Sequence, residues 1–575
     1  MRSLIRVWTL AILVCVGLGL ASARGSLDQG AGWTHSYSYN TVWIAEFNAA
    51  LREGHFPPRW LAGAMAGFGA SSFYFYPPLA FYAAALVGAV LPEGAHPGLI
   101  LAWLDALTIT ASGLAMFAWL RPKTGPWTAL AAAALYMLAP YHQLCVFVRG
   151  ALGETVAYIV LPLLAASLER AVRSWRWTPA LAVSYAALVL SHPIIAMLAT
   201  VGVLPAYALY LVWSAPAEAR LMVVVRGAAG AALGLALAAF YLGPATLLQS
   251  ASTMDHMWGT AATDPYNWSL LRPDLWPQKP FSTSMAFLGW GMGALALAAL
   301  VAALAVRREA RSGEAIAWAA AALGGVALYA IPWIWHSPLA VILNKAQFPY
   351  RVLVAVDFAA VAAVALAFAH GRRWILPPLA AVVAAPLLWQ GFMLTQSAYV
   401  FHFAAPGFAD PETGRRLAAL RAPDEHFPAA LNFYDPRLNA DYPGLSGLKD
   451  IPLAAPVDSG AKVTAASTFP DGTVAIAVEA ERPTRIVLGK FYFPTWEVGR
   501  VQRGRDPVVA STAYGSLAQL SFVAEPGQHT YRARIVRSGA EKASDLVSLL
   551  ALAVVLGLFA PSLTERLKKL RKAAI

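Results

Sequence analysis

The sequence predicts a mainly α-helical, polytopic membrane protein carrying a β-rich extramembrane domain near its C-terminus. Three observations carry that prediction. The 575 residues are 58% hydrophobic and only 13% charged, where a soluble domain is nearer a quarter charged. Apolar segments recur at 4–22, 79–92, 98–120, 127–141, 154–170, 178–192, 196–214, 226–248, 286–306, 314–333, 352–369, 374–394 and 545–562. Between 457 and 540 the pattern changes to alternation and β-branched runs.

The junctions between apolar segments sort by charge. Arg121 with Lys123, Arg170–Arg176, Arg220 with Arg226, Arg307–Arg311, Arg372–Arg373 and the tail Lys568–Lys572 are basic. Basic junctions stay in the cytoplasm. They hold most of the positive charge behind the net +12, which argues against a nucleic-acid partner. The remaining junctions hold Arg149, Glu154, His192, Asp255, His256, Lys345, Gln347 and Arg351. Chemistry is therefore expected on the outer face.

The first segment has two readings. Ala21-Ser22-Ala23 looks like a signal-peptide cleavage site, but a retained first helix suits a polytopic chain better. Either way Arg24 onward is outside. From Arg170 the basic loops alternate regularly. Before it, an odd number of crossings would separate the two basic termini. The short segment 79–92 follows Pro77-Pro78 and is read as interfacial or re-entrant, leaving about 12–13 transmembrane helices. The alternative places Arg121-Pro122-Lys123 outside. Cys15 and Cys145 both lie in or near apolar segments, so neither a disulfide nor metal-ligand spacing is expected.

Three units follow. Residues 1–395 form the transmembrane domain, with a first outer loop at 24–78. Within that loop Thr41–Glu53 reads as an amphipathic helix ended by Gly54, lying on the membrane surface. Residues 396–544 form an extracytoplasmic domain whose first half is Pro-rich and irregular. Its strands are expected at Lys462–Ser467, Val474–Glu479, Thr484–Phe491, Gln519–Phe522 and His529–Val536. Turns at Asp471-Gly472 and Pro526-Gly527 make a small β-sandwich the expected fold. Residues 545–575 form a final helix and a basic tail.

The candidate site residues lie in the outer junctions. Arg149 and Glu154 flank a helix start, and Gly150 and Gly153 permit close backbone approach. Charges at membrane depth are costly without a purpose. The alternative is an Arg–Glu pair that ties a loop to a helix N-terminus. Arg351, with Gln347 and Lys345, opens another apolar segment, either as an anion clamp or as snorkelling side chains. His192 sits at a hairpin tip, and Asp255-His256 on the second outer loop; each is a ligand contact or a polar cap. Tyr76 belongs to the run Phe73-Tyr74-Phe75-Tyr76, which lines a groove or forms an aromatic belt. Arg59-Trp60 is open to the same belt reading.

Several stretches in order carry a family resemblance. They are Glu53-Gly54-His55-Phe56-Pro57-Pro58-Arg59-Trp60, Phe73-Tyr74-Phe75-Tyr76-Pro77-Pro78, Arg149-Gly150-Ala151-Leu152-Gly153-Glu154, Leu190-Ser191-His192-Pro193, Tyr241-Leu242-Gly243-Pro244 and Gln347-Phe348-Pro349-Tyr350-Arg351. From about Trp33 to Arg351 the chain resembles bacterial membrane proteins labelled 6-pyruvoyl-tetrahydropterin synthase-related. These are similar to the GT-C superfamily of glycosyltransferases. The resemblance implies a GT-C-like fold in the bacterial inner membrane, with a periplasmic C-terminal domain. It implies transfer of a sugar from a polyprenyl-phosphate donor, as co-substrate, to a glycan, lipid or protein acceptor, with no other cofactor and no metal.

That chemistry needs cations on the phosphate and a base for the acceptor's proton. Arg149, Arg351, Lys345, Gln347, His192, Asp255, His256, Arg59 and Tyr76 are the substrate-binding candidates. The family's first-loop Asp falls at about Ser36, and its His near Asn40, so both are departures. Glu154, His35 and Glu46 are the candidates for the base. The missing Asp keeps open a non-catalytic lipid-binding or export component on the same scaffold. A secondary transporter is disfavoured, because no inverted repeat stands out and the mid-membrane stretches look almost free of charge.

Overall fold

A computed structural model describes residues 2–29, 34–254, 260, 263–277, 279–305, 312–370, 385, 426–432, 448, 450–469, 471–502 and 506–573. The apolar segment 374–394, Asp255, His256, the loops at 307–311 and 372–373 and most of 396–457 lie outside the described residues.

The helices follow the apolar segments. They are α1 (Arg2–Gln29), α2 (Tyr37–Arg52), α3 (Ser72–Phe75), α4 (Leu79–Val90), α5 (Pro97–Thr124), α6 (Pro126–Met137), α7 (Pro140–Leu144), α8 (Leu152–Ala171), α9 (Thr178–Ser191), α10 (Pro193–Leu198), α11 (Leu204–Trp213), α12 (Arg220–Leu237), α13 (Ala239–Leu247), α14 (Lys279–Ala305), α15 (Ser312–Ala330), α16 (Ala340–Leu343) and α17 (Leu353–His370). A C-terminal helix, Gly539–Ala573, closes the chain. Among the described residues, ten helical segments are long and apolar enough to cross a membrane. The protein is thus a multi-pass membrane protein. Proline opens many of these helices: Pro97, Pro126, Pro140 and Pro193 sit in first turns, where no amide partner is lost.

Burial orders the bundle. The spans Pro349–Ala369 and Leu152–Ala171 are 83% and 78% buried, whereas Ala217–Leu237 and Gly539–Phe559 are 17% and 11% buried. The first pair is therefore the protein's centre and the second faces lipid. α1 packs along α5, and α17 packs on α5, α8, α14 and α15.

The structure decides the ambiguous early topology. α4 has 12 residues, about 18 Å of helix, against a hydrocarbon core of about 30 Å. It is too short to cross. At the far end of α5, Lys123 Nζ lies 2.6 Å from Glu169 and 2.5 Å from Glu314. Those carboxylates belong to the ends of α8 and α15 that carry the basic loops, so Arg121 and Lys123 share that side.

The β-rich region is a two-sheet sandwich. Its strands are β1 (Ala454–Pro456), β2 (Ala461–Thr468), β3 (Val474–Ala480), β4 (Thr484–Phe491), β5 (Trp496–Arg500), β6 (Val508–Val509), β7 (Ser511–Tyr514), β8 (Gln519–Ala524) and β9 (Gly527–Ile535). One sheet runs β1-β4-β8-β7 and the other β2-β3-β9-β5-β6, with antiparallel pairing throughout. The five strands read from sequence are β2, β3, β4, β8 and β9. The short β1, β5, β6 and β7 gave too little alternation to be seen.

The first loop is the seam between bundle and sandwich. Tyr74 and Phe75 enter the sandwich core beside Phe493 and Trp496. Lys490 Nζ donates to Gly67 O at 2.5 Å, and the Phe491 amide to Phe68 O at 2.9 Å. Two expectations are corrected here. α2 is not a membrane-surface helix: Val42, Trp43, Ile44 and Phe47 are almost fully buried by protein. The aromatic run is not a lipid belt either. Tyr76 packs against Trp43, ring centroids 4.4 Å apart, and Phe73 against Phe47 and Phe81.

Candidate functional site

The site is built on the turn between α7 and α8. After α7 the chain makes a π-helical turn, Cys145–Arg149, a widened geometry common where side chains must be re-aimed. Gly150 ends it at φ +63°, a left-handed conformation that glycine adopts without strain. A Cβ on Gly150 would meet Thr34 Oγ1 at 2.2 Å. The bare backbone lets the first loop dock there. His35 donates its amide to Val148 O at 2.9 Å, Ser36 to Arg149 O at 3.1 Å, and Asn40 Nδ2 donates to Gly150 O at 2.7 Å.

Gly153 does the equivalent on the other side. A Cβ there would lie 2.2 Å from Ser191 O, so only glycine lets the start of α8 press against the end of α9. That contact brings His192 to the site.

Four of the sequence candidates meet at one carboxylate. Arg149 Nη1 lies 2.6 Å from Glu154 Oε2. Arg351 Nε lies 3.5 Å and His192 Nε2 3.9 Å from Glu154 Oε1. Tyr141 accepts from Arg149 at 2.8 Å and donates to Glu154 Oε2 at 3.1 Å. Glu154 is fully buried, and the arginine side chains are only 12% and 14% exposed. Tyr350 stacks under Arg149 with its ring centroid 5.3 Å from the guanidinium, and Phe348 lies 4.9 Å from that of Arg351.

Charge does not balance there. Two guanidiniums share one carboxylate, and their ion pairs go to Glu154 alone among the described residues. Burial lowers the His192 imidazole to about 3, although Glu154 opposes this, so it is neutral. A positive charge is left over. Arg351 Nε and Glu154 Oε1 are both buried and make no hydrogen bond. Arg351 Nη1 instead donates to Ala346 O at 3.0 Å and to Gln347 Oε1 at 3.4 Å. Gln347 is held at φ +60°, a non-glycine strain of about 1–3 kcal/mol that clusters at functional sites.

His35 is the first-loop titratable group electrostatically coupled to Arg149. Desolvation first, and the Arg149 charge second, lower its imidazole pKa from the usual value. It is a neutral base near pH 7.

Other candidates lie elsewhere. Glu46 is turned away from Arg149, and its Oε2 accepts the Gly63 amide at 2.9 Å. Arg59 is 3.1 Å from Glu541 and 3.4 Å from Asp545 and donates to Phe240 O at 2.9 Å. It is a buried clasp between the first loop and the C-terminal helix, not an interfacial anchor. Tyr76 is enclosed by rings, as described above. Lys345 is exposed and donates to Gln249 Oε1 at 3.3 Å; its ammonium is not among the groups on Glu154.

One buried cluster was not anticipated. In the middle of the bundle Tyr158 donates to Asp357 Oδ2 at 2.7 Å. His142 stacks on Tyr158 at 3.8 Å and 5°. Asp105 is buried in α5 as well. The mid-membrane stretches therefore hold ionisable side chains. One Asp inside each of two apolar runs was the signal.

No family model matches this chain, and no curated protein matches it. Solved structures give loose likenesses. A mycobacterial arabinofuranosyltransferase, AftD, aligns with a TM-score of 0.41 and 15% identity, covering 69% of this chain and 27% of its own. An Archaeoglobus fulgidus oligosaccharyltransferase, solved with zinc and sulfate, aligns at 0.36 and 15%, covering 73% and 57%. The same enzyme tethered to an acceptor peptide aligns at 0.33 and 13%, covering 72% and 60%. This chain thus spans about a quarter of the first and under two thirds of the second. At these scores no residue or substrate carries over, and the pyruvoyl-tetrahydropterin label gains no support.

Proposed function

We propose that this chain is a membrane glycosyltransferase that takes a sugar from a polyprenyl-phosphate donor at the periplasmic face of the inner membrane. The observation that carries the proposal is the surplus cation at Glu154. Arg149 and Arg351, far apart in sequence, are both held at one buried carboxylate, at the end of the bundle opposite the basic loops. A guanidinium pair in that position suits a phosphate at the lipid boundary: planar forks match its oxygens, and the isoprenoid stays in the bilayer.

Roles follow from position. Arg149 and Arg351 bind the phosphate. Glu154 orients both and leaves their outer N–H groups to the ligand. His192 is a neutral donor beside them. His35, on the first loop, accepts the acceptor hydroxyl's proton as the hydroxyl oxygen attacks the anomeric carbon and the polyprenyl phosphate leaves. The acceptor is an envelope glycan, lipid or protein.

A second reading rests on a specific observation: among the described residues no first-loop carboxylate pairs with Arg149, since Asp28 meets Arg24, Glu46 accepts from Gly63 and Glu53 meets His55. A non-catalytic protein that only binds the phosphate lipid would need no base. The test uses purified protein in nanodiscs, first titrated with decaprenyl phosphate, then given decaprenyl-phosphoryl sugars and candidate acceptors. Binding that Arg149→Ala and Arg351→Ala abolish, with sugar transfer, supports the enzyme. Binding without transfer selects the second reading, and wild-type affinity in both variants sinks the clamp.

A further inference from the structure

A cavity of about 550 Å³ lies between the far half of α2, the loop after it and the sandwich. That is the size of an ordinary small-molecule site. Glu46, Glu53, His55, Phe56, Trp60 and Asp471 line it. It is not the Glu154 site: Arg149, Arg351 and His192 do not border it.

Its cations are already engaged. Arg59 is held by Glu541 and Asp545. Arg534 is 2.7 Å from Glu497, and Arg537 is 2.7 Å from Asp545. Among the described residues, three of the cavity's carboxylates, Glu46, Glu53 and Asp471, pair with no arginine or lysine. Glu46 has only the Gly63 amide on Oε2, Asp471 accepts the Thr473 amide at 3.0 Å, and Glu53 has only His55 at 3.9 Å. Ionised carboxylates only accept hydrogen bonds. The carboxylates therefore favour a ligand rich in donors, and the arginines beside them already share their charge with Glu541, Asp545 and Glu497. Trp60 is held edge-on by Trp496 at 5.6 Å, and Phe56 is 68% exposed. Flat apolar faces next to carboxylates match sugar rings, whose hydroxyls donate to the carboxylates while their C–H faces stack on aromatic rings.

We infer that this cavity binds a neutral saccharide. Naming that saccharide as the acceptor rests on the transfer reading above; binding itself does not. The first loop physically joins the two places. α2 starts against Gly150 through Asn40, carries Glu46 and ends at Glu53 beside the cavity, so a glycan seated there lies along the helix that follows His35.

The test is calorimetric titration of the full-length protein in nanodiscs. The probes are neutral di- to tetrasaccharides of hexose, pentose and N-acetylhexosamine units. At least one series binds saturably. Glu46→Gln with Glu53→Gln weakens it about tenfold or more, which is about 1.4 kcal/mol. Phe56→Ala, on an exposed side chain, weakens it with no change in thermal unfolding. Arg351→Ala leaves saccharide affinity intact while abolishing decaprenyl phosphate binding. Failure of the transfer reading would leave saccharide binding in place. No saturable binding by any series, equal affinity in the carboxamide variant, or preferential binding of spermidine or inorganic phosphate would each overturn the inference.

Discussion

Two buried charge clusters, one at each end of the bundle, are nearly mirror images. At the basic end Lys123 sits between Glu169 and Glu314, and Glu169 also meets Arg173 at 3.3 Å. The buried Lys123 serves both carboxylates, Arg173 at the exposed rim supplies the second cation, and Tyr207 adds a hydrogen bond to Glu314 at 3.3 Å. At the other end one carboxylate faces two guanidiniums. Burying an ion is tolerable only when it is paired and hydrogen-bonded. The first cluster meets that condition internally, and its work is to hold α5, α8 and α15 together. The second does not, and it keeps an unbonded Arg351 Nε and Glu154 Oε1. On the function proposed above, the surplus charge is where the anion sits, whereas the first cluster is a joint.

The largest expected effect separates the two clusters directly. Arg351→Ala reduces decaprenyl phosphate binding by about a hundredfold or more, as expected when a charge-assisted contact of about 3 kcal/mol is lost. Lys123→Ala leaves that binding unchanged and instead destabilises the bundle by about 3–5 kcal/mol, because two carboxylates lose their shared cation. Equilibrium titration and denaturant unfolding measure the two. Loss of phosphate binding in Lys123→Ala would erase the distinction.

Gly153→Ala comes next. The added methyl meets Ser191 O and forces α8 and α9 apart, at about 1–3 kcal/mol. His192 moves with α9, so unfolding and phosphate affinity both suffer.

Glu154→Gln sharpens the comparison. If the carboxylate only orients the arginines, phosphate affinity stays within about tenfold of wild type while transfer falls. A collapse of binding would show instead that the carboxylate itself is needed to hold ligand. The pH profile tests His35. Its pKa is lowered, so the base form persists below the usual imidazole range and transfer fades only at more acid pH. His35→Gln removes that acid limb along with activity. A limb unchanged in the variant assigns the base elsewhere. The smallest effect is Lys345→Ala: an exposed residue changes stability by less than about 0.5 kcal/mol and affects affinity little.

Much of this was legible in one dimension. Apolar segments and strand alternation are local properties, and they predicted most of the described helices and five of the nine strands; ten spans are found among the described residues where about 12–13 were expected. The paired glycines of Arg149–Glu154 also announced close backbone approach. The reading of Arg59 failed because its partners, Glu541 and Asp545, lie at the other end of the chain. α2 misled for a related reason. An apolar face does not say whether lipid or protein covers it, and here α4, α5 and the first loop do.

Taken alone, the sequence determined which residues are apolar enough to cross, which end of each span is basic, and which titratable groups are left at the other end. Hydropathy and charge are properties of short stretches, so folding does not alter them. Only the tertiary structure decided that Arg149, His192 and Arg351 surround Glu154 while Glu46 and Arg59 face a separate cavity. Whether two distant charges meet depends on how helices pack, and that packing turns on contacts such as Gly153 against Ser191.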